Sequence, residues 1–411
     1  MSHNPKIPSF NLLRDLANKA GVYAKLDEQP SSSRLWIVFS HIDIPSGKFA
    51  QTNVFKNIEG NKLFLNCARN SWYAKGISGF SSSIKETIEK LAPLNEAFDV
   101  AYVGHSMGAY LSAQCGLQTP QVTFLATSPE LKLGLSGTRS RAHNVKSKQG
   151  PEIQSSYADK SNGLILFGAY DPIDCLFLSE TKKLNELGCV HEVPHHHGVT
   201  EYLTSNNIYV PLLNSLSGNK HYTSVLTRRR QLFPIYSFGS AEQYKHFFDT
   251  YNGFTHDNYQ VSRLKNNVGE FSEWSNPGWQ DLRSKVLESI GDFDGALLAA
   301  KNAYLAERDI IEYAYNYGVL SLKADHKEIV FGILDSFKSF HRRHQLGQML
   351  SNAAREKYGV LYRPSKYNER QDLAHEEQLT TADHNTLKNK SVSHLAEAML
   401  EKIRAGEADD V

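Results

Sequence analysis

One short stretch, residues 100–110 (VAYVGHSMGAY), constrains the fold of this chain more than any other. The residues before it predict a buried strand, and the residues after it favour a helix. Gly-His-Ser-Met-Gly at 104–108 lies between them, so the chain must turn sharply there. We interpret Gly104 and Gly108 as points where strand and helix approach too closely for a Cβ. Such a turn lifts the Ser106 hydroxyl above the sheet.

Apolar, β-rich runs recur through the first half of the chain and alternate with helical patterns. The predicted strands are 35–39, 62–66, 98–103, 122–126, 163–167 and 190–193, and the predicted helices include 11–27, 84–94 and 179–187. Strands that alternate with helices favour a doubly wound, mostly parallel sheet, which is an α/β fold.

Helical periodicity replaces the strands after about residue 205. Four helices are predicted at 279–290, 293–304, 310–322 and 327–337, with a further helix within 339–358. The turn residues Asp292 and Asp325 are 33 positions apart, close to the period of the tetratricopeptide repeat, which this region resembles in degenerate form. That resemblance implies a protein partner, and the alternative is an unrelated helical bundle. We therefore predict four regions: an N-terminal helix and linker (1–30), a catalytic domain (31–214), an all-α repeat-like region (215–360) and a polar, partly disordered tail (361–411).

Composition excludes several classes of function. The formal net charge of +1 gives no drive toward nucleic acid, and no apolar run approaches the ~20 residues that span a bilayer. The N-terminus lacks the apolar core of a secretory signal, and the four cysteines form no C-x-x-C pair. We expect a cytoplasmic protein with buried free thiols, no cofactor, no membrane span and no nucleic-acid partner.

A serine hydroxyl becomes a good nucleophile when a histidine takes its proton and a carboxylate orients that histidine. Asp171 follows the predicted strand 163–167 in the sequence GAYDPID and is our preferred acid, with Asp174 as the alternative. Three adjacent histidines follow the last predicted strand; we prefer His197 as the base, with His196 as the alternative. Adjacent histidines do not easily converge on one ion, so we expect no metal.

The order of Gly-x-Ser-x-Gly, Gly-x-x-Asp and His resembles the α/β-hydrolase superfamily over about residues 30–215. The resemblance implies an oxyanion hole formed by the Met107 N–H and an N–H of the loop after residue 39, for which Ile42 is our choice. The His-Gly pair common in lipases is absent from that loop. The implied activity is a serine esterase or thioesterase. The alternatives are an acyltransferase on the same three residues and a non-catalytic scaffold that uses the helical region.

Residues 66–76 (NCARNSWYAKG) resemble a loop of hydrolase-like proteins from bacterial surface-polysaccharide gene clusters. This narrower resemblance implies a small-molecule or carbohydrate acyl ester as substrate, bound by Trp72 and Tyr73 together with His41 and His105. The alternative is a surface loop with Trp72 packed beneath it. The basic, aperiodic segment 132–160 is either a small lid for an acidic substrate or a solvated loop.

Overall fold

The computed structural model describes residues 7–119, 122–146, 162–184, 189–217, 238–255, 261–337, 342 and 344–359. Residues 1–362 form one compact unit that contains both the strands and the helices of the second half. The predicted tail, 361–411, lies outside the described residues.

A seven-stranded sheet forms the centre of the first half of the chain, with strand order β1-β3-β2-β4-β5-β6-β7. Its strands are β1 (Ala24–Asp27), β2 (Arg34–Phe39), β3 (Asn61–Leu65), β4 (Asp99–His105), β5 (Thr123–Thr127), β6 (Asn162–Gly168) and β7 (Val190–Val193). Only β1 runs antiparallel to its neighbour; the five pairs among β2 to β7 are parallel. The predicted mostly parallel α/β sheet is confirmed.

The inner strands β2 to β6 are largely buried on both faces because helices cover both, whereas the edge strands β1 and β7 are partly exposed. The helices of the first half are α1 (Ile7–Ala20), α2 (Thr52–Phe55), α3 (Ile84–Ala97), α4 (Met107–Gln118), α5 (Arg139–Ala142), α6 (Pro172–Leu184), α7 (Val199–Ser205) and α8 (Tyr209–Ser217). Val103 and its neighbours on one face pack with Leu203 and Leu212 of α7 and α8. On the opposite face Tyr102 donates a hydrogen bond to Asn95 of α3. Alternate residues of each parallel strand therefore enter two separate cores.

Two predicted helices have other bounds in the structure. The N-terminal helix, predicted over 11–27, ends at Ala20, because Gly21 adopts φ +54° and the chain then forms the edge strand β1. The helix predicted at 179–187 begins seven residues earlier, at Pro172, a residue well suited to the first helical position. The earlier start changes which aspartate faces the histidines, as described below.

The second half is helical, as predicted, with α9 (Ala241–Thr255), α10 (Val261–Gly269), α11 (Pro277–Ser289), α12 (Phe293–Ala306), α13 (Ile311–Lys323), α14 (Lys327–Ser336) and α15 (Gln345–Tyr358). Asp292 caps α12 by accepting from the Gly295 N–H at 3.0 Å. Ala296 and Val330, 34 positions apart, are both fully buried. The successive helix pairs α11–α12 and α13–α14 also contact each other through Asn316, whose amide donates to Asp281 and Ser284.

The helical half packs directly on the loop between β6 and α6. The Asn276 amide, which precedes α11, donates to the Ala169 carbonyl at 2.7 Å. A Cβ at Gly278 would lie 2.0 Å from the Tyr170 carbonyl oxygen, so only glycine allows α11 to approach this closely. The Tyr170 hydroxyl reaches Glu307, just after α12, at 3.0 Å. Residues 168–174 comprise the end of β6, the connecting loop and the first turn of α6; we call this segment the acid loop, and it lies between the sheet and the helical half.

None of the helices in the described ranges combines the length and the apolar character that crossing a bilayer requires.

Candidate active site

Ser106 lies at the turn between β4 and α4 in a strained backbone conformation, with φ 53° and ψ −118°. A Cβ at Gly104 would lie 2.2 Å from the Gly108 carbonyl oxygen, and a Cβ at Gly108 would lie 2.4 Å from that of Phe39. Both glycines are therefore required by close approach, as the sequence predicts. Backbone strain of this kind costs about 1–3 kcal/mol and persists only where the surrounding structure enforces it.

Ser106, His197 and Asp174 form a continuous hydrogen-bonded row. The Ser106 Oγ lies 2.8 Å from His197 Nε2, and His197 Nδ1 lies 2.9 Å from Asp174 Oδ1. A carboxylate only accepts, so Nδ1 carries the proton and Nε2 presents its lone pair to the serine hydroxyl. The other carboxylate oxygen of Asp174 accepts from the Gly168 N–H at 2.9 Å, which fixes the side chain. This geometry can move a proton from the serine to the imidazole.

The carboxylate that contacts the histidine is Asp174 and not Asp171, the residue that the sequence favoured. Asp171 Oδ1 accepts from the backbone N–H groups of Ile173 and Asp174, both at 3.0 Å. Asp171 is thus the N-cap of α6, and Asp174 lies in the first turn with its side chain toward His197. The alternative acid of the sequence analysis, Asp174, is thus the residue that contacts His197, and Asp171 caps the helix.

The sequence holds the signal that would have found this arrangement. An aspartate followed by proline is typical of an N-cap followed by the first helical residue. Asp171-Pro172 therefore marks the start of a helix, and Asp174, three residues later, lies within its first turn.

The three adjacent histidines have different surroundings. The His197 carbonyl accepts from Ser128 Oγ at 2.9 Å, which fixes the backbone of His197 beside the end of β5. The Nδ1 of His196, our alternative base, accepts from the Gly198 N–H at 3.1 Å. Burial lowers the pKa of His195 to about 3 and that of His196 to about 4. Both are therefore neutral near pH 7.

His41 and His105 extend the row of imidazoles on the other side of His197. The His105 ring lies 5.2 Å from that of His197 and 6.0 Å from that of His41. His41 Nδ1 donates to the Ile42 carbonyl at 2.8 Å, and His105 Nδ1 lies 3.2 Å from the Thr127 carbonyl. Burial lowers the pKa of both residues, so both are neutral and present Nε2 as an acceptor.

The predicted oxyanion donors lie on two adjoining segments. Met107 is the first residue of α4, directly after Ser106. The second predicted donor, Ile42, lies in the loop after β2, where its carbonyl accepts from His41. That loop is fixed by side chains from residues 66–73: the Asn66 amide donates to the Ile44 carbonyl at 3.0 Å, and Asn70 Oδ1 accepts from the Asp43 N–H at 2.9 Å.

Tyr73 and Trp72 do not have the exposed positions that a substrate-binding role requires. The fully buried Tyr73 hydroxyl lies 3.0 Å from the Ser40 carbonyl and 3.1 Å from that of Leu65. Trp72 is 1% exposed and packs against the His143 ring at 5.4 Å. Residues 66–73 therefore hold the loop after β2 in place through their side chains. The buried position of Trp72 agrees with the alternative interpretation, in which this side chain packs beneath a surface loop.

The segment 132–160, predicted as a small lid or a solvated loop, is partly packed and partly exposed over its described residues 132–146, with residues 141–144 exposed. Leu131, Leu133 and Val145 are buried, and Arg139 of α5 forms an ion pair with Asp171, with Nη2 and Oδ2 2.6 Å apart. Sequence analysis did not identify Arg139 as part of the site. Residues 147–161 of this segment lie outside the described ranges.

Asp171, Asp174 and His197 have donor atoms within 4.8 Å of one another, a spacing that could suit a cation. Each of these residues already has a partner, and the Arg139 guanidinium supplies the positive charge beside the two carboxylates. We therefore do not assign a metal to this group.

Comparison with known proteins gives only weak likenesses. No family model and no curated protein matches the chain. The capsule O-acetyltransferase of Neisseria meningitidis serogroup A is 14% identical, with a TM-score of 0.32 over 46% of this chain and 90% of the other. An α/β serine hydrolase without a lid from Xanthomonas campestris is 13% identical, with a TM-score of 0.27 over 52% of this chain and 90% of the other. The acylaminoacyl peptidase of Pyrococcus horikoshii is 12% identical, with a TM-score of 0.28 over 52% of this chain and 39% of the other.

Proposed function

We propose that this chain is a serine hydrolase of the α/β-hydrolase type, which cleaves a carboxylic ester or thioester through an acyl-enzyme on Ser106. The observation that carries the proposal is the row of two hydrogen bonds from Ser106 through His197 to Asp174, at 2.8 and 2.9 Å. These distances lie within the reach that general base catalysis requires.

In the proposed reaction, Ser106 Oγ attacks the acyl carbon while His197 Nε2 takes the hydroxyl proton. Asp174 holds the imidazole in the required tautomer and stabilises the imidazolium that forms. The negative charge develops on the former carbonyl oxygen, where the Met107 N–H at the helix N-terminus would stabilise it. His197 then returns the proton to the leaving alcohol or thiol, and water releases the acyl group by the same steps.

We assign the second oxyanion donor to Ile42 of the loop after β2. The side chains of Asn66, Asn70 and Tyr73 anchor this loop through hydrogen bonds to its backbone. A loop held in this way can present an N–H group without reorganisation, which is the condition for strong electrostatic stabilisation.

A fluorophosphonate probe tests the proposal directly, because it phosphonylates a serine only where an adjacent base activates it. We expect rapid labelling of the purified full-length protein, and we expect Ser106→Ala to abolish it. The control is Ser112→Ala, which should retain labelling, because Ser112 is a buried serine of α4 whose hydroxyl donates to the Leu125 carbonyl. Hydrolysis of p-nitrophenyl acetate should disappear with the labelling. Absence of Ser106-dependent labelling would refute the enzyme proposal.

A further inference from the structure

A buried guanidinium lies beside the carboxylate that contacts His197. Arg139 Nη2 donates to Asp171 Oδ2 at 2.6 Å. Its Nη1 lies 3.7 Å from Asp174 Oδ1, the same oxygen that accepts from His197. Arg139, Asp171 and Asp174 thus form one cluster, which we call the charge cluster.

Burying three charges together is costly unless they compensate one another. The side chains of Arg139, Asp171 and Asp174 are only 19%, 11% and 2% exposed. Burial raises the pKa of Asp171, but Arg139 and His197 more than offset this, so the pKa lies below its usual value. For Arg139, burial opposes the charge while Asp171 and Asp174 raise the pKa above its already high value. Arg139 and Asp171 are therefore both charged and compensate each other, and the Asp174 carboxylate brings the formal charge of the cluster to −1.

Rigid packing fixes the guanidinium in this place. The buried Glu130 carboxylate accepts from the Ser140 N–H at 2.8 Å and also from its hydroxyl. The same hydroxyl accepts from the Gly134 N–H at 2.8 Å. These bonds hold the start of α5, and with it Arg139, against the acid loop.

We propose that Arg139 is a positioning residue for the reaction: it neutralises Asp171, so that Asp174 alone supplies the net negative charge facing His197. This inference rests on the proposed function. A site with a second, uncompensated buried carboxylate would hold the imidazolium too strongly and keep His197 protonated. Without Asp171, in contrast, Arg139 would cancel the charge of Asp174 and weaken the stabilisation of the imidazolium.

The other groups that face His197 come from several elements. Ser106 comes from the turn between β4 and α4, His105 from β4, His41 from the loop after β2, and His196 from its own loop. Burial keeps the three histidines neutral. Tyr251 of α9 faces Arg139 and Asp171, and burial raises its pKa, so it is also neutral. Two carboxyl groups lie further out: Glu130 interacts with Arg139, and Glu201 of α7 lies beside Gly198, and burial raises the pKa of both. Within the described residues, the charge cluster supplies the carboxylate that contacts the His197 ring directly.

The test measures the rate of fluorophosphonate labelling of Ser106 between pH 4.5 and 9 in the full-length protein. Labelling requires His197 as a neutral base, so the acid limb of the profile reports its protonation. Arg139→Gln makes the charge cluster more negative and should move the limb to higher pH by about one unit. Asp171→Asn makes it neutral and should move the limb to lower pH by a similar amount. The double variant restores a net charge of −1 and should return the limb to the wild-type position.

Arg139→Lys keeps the positive charge and should leave the acid limb at the wild-type pH. This variant separates the effect of the charge from the effect of losing the planar guanidinium contact with Asp171. If Arg139→Gln does not fold, Asp171→Asn decides alone, because the substitution is nearly isosteric. The inference would be overturned if the acid limb of Asp171→Asn lay at the same pH as the limbs of the wild type and the double variant. Failure of the wild-type protein to label would instead refute the proposed function, so the two failures are distinguishable.

Discussion

Replacing Asp174 with asparagine should abolish most of the activity while leaving the fold intact. In the structure one carboxylate oxygen accepts from the Gly168 N–H and the other from His197 Nδ1. The asparagine oxygen would stay on the Gly168 N–H, which turns the amide NH₂ toward His197. Nδ1 must then accept, and the ring proton moves to Nε2, where it faces Ser106.

A histidine in that tautomer cannot take the serine proton. The equivalent change in a well-studied serine protease lowers kcat about 10⁴-fold. At about 1.4 kcal/mol for each factor of ten, the loss corresponds to ~5.5 kcal/mol of transition-state stabilisation. For Asp171→Asn we expect a decrease of only about tenfold, because the asparagine oxygen can still cap α6 and Asp174 still holds the histidine.

Hydrolysis of p-nitrophenyl acetate at pH 8, normalised by fluorophosphonate titration of active Ser106, measures both variants on the same scale. Thermal melting supplies the control for folding. A larger loss in Asp171→Asn than in Asp174→Asn would refute the reasoning, because it would return the acid role to the residue that the sequence favoured.

Three further predictions concern the elements that support the site. Gly278→Ala would bring a Cβ to 2.0 Å from the Tyr170 carbonyl oxygen, so it should displace α11 from the acid loop and lower kcat/KM at least tenfold. The control is Gly332→Ala in α14, where the added Cβ meets no atom within 4 Å and kcat/KM should be unchanged. Tyr73→Phe removes the hydroxyl that contacts two buried carbonyls and should lower the free energy of unfolding by about 1–3 kcal/mol in urea titrations; an unchanged midpoint would contradict the structural role. The folded-state pKa of His195, about 3, lies below the unfolded value near 6.5, so its contribution to stability is retained above pH 6.5 and lost as the pH falls toward 3. Unfolding midpoints should therefore decrease from pH 7 to pH 5, and His195→Gln should reduce that slope; an equal slope in both proteins would contradict this assignment.

Much of the fold follows from the sequence because its signals are local. Each buried parallel strand is a run of apolar residues, and the turn around Ser106 needs its two glycines within five positions. The strand β1 was not predicted because it is a four-residue edge strand, Ala-Lys-Leu-Asp, with only three residues between it and the end of α1 at Ala20. Such a short stretch reads equally well as the end of that helix.

Site residues could be predicted only where a local sequence motif marks them and their order along the chain matches that of a known catalytic pattern. Ser106 and His197 are brought together as the sequence predicts. Asp171 and Asp174 are three residues apart, and only the start of α6 at Pro172 decides which one faces the histidine. Arg139 lies in an aperiodic segment, and its contacts depend on tertiary packing against the acid loop. No local pattern encodes such a contact.

The contacts of Asn276, Gly278 and Glu307 with the acid loop have a thermodynamic consequence. A ligand that binds the helical half and shifts α11 changes the free energy of the loop that carries Asp174. Reciprocity then requires that occupation of the Ser106 site alter the affinity of that ligand by the same factor. These contacts therefore link the helical half to the proposed reaction centre, and a truncation that removes α11 should change activity in the same way as a substitution in the acid loop.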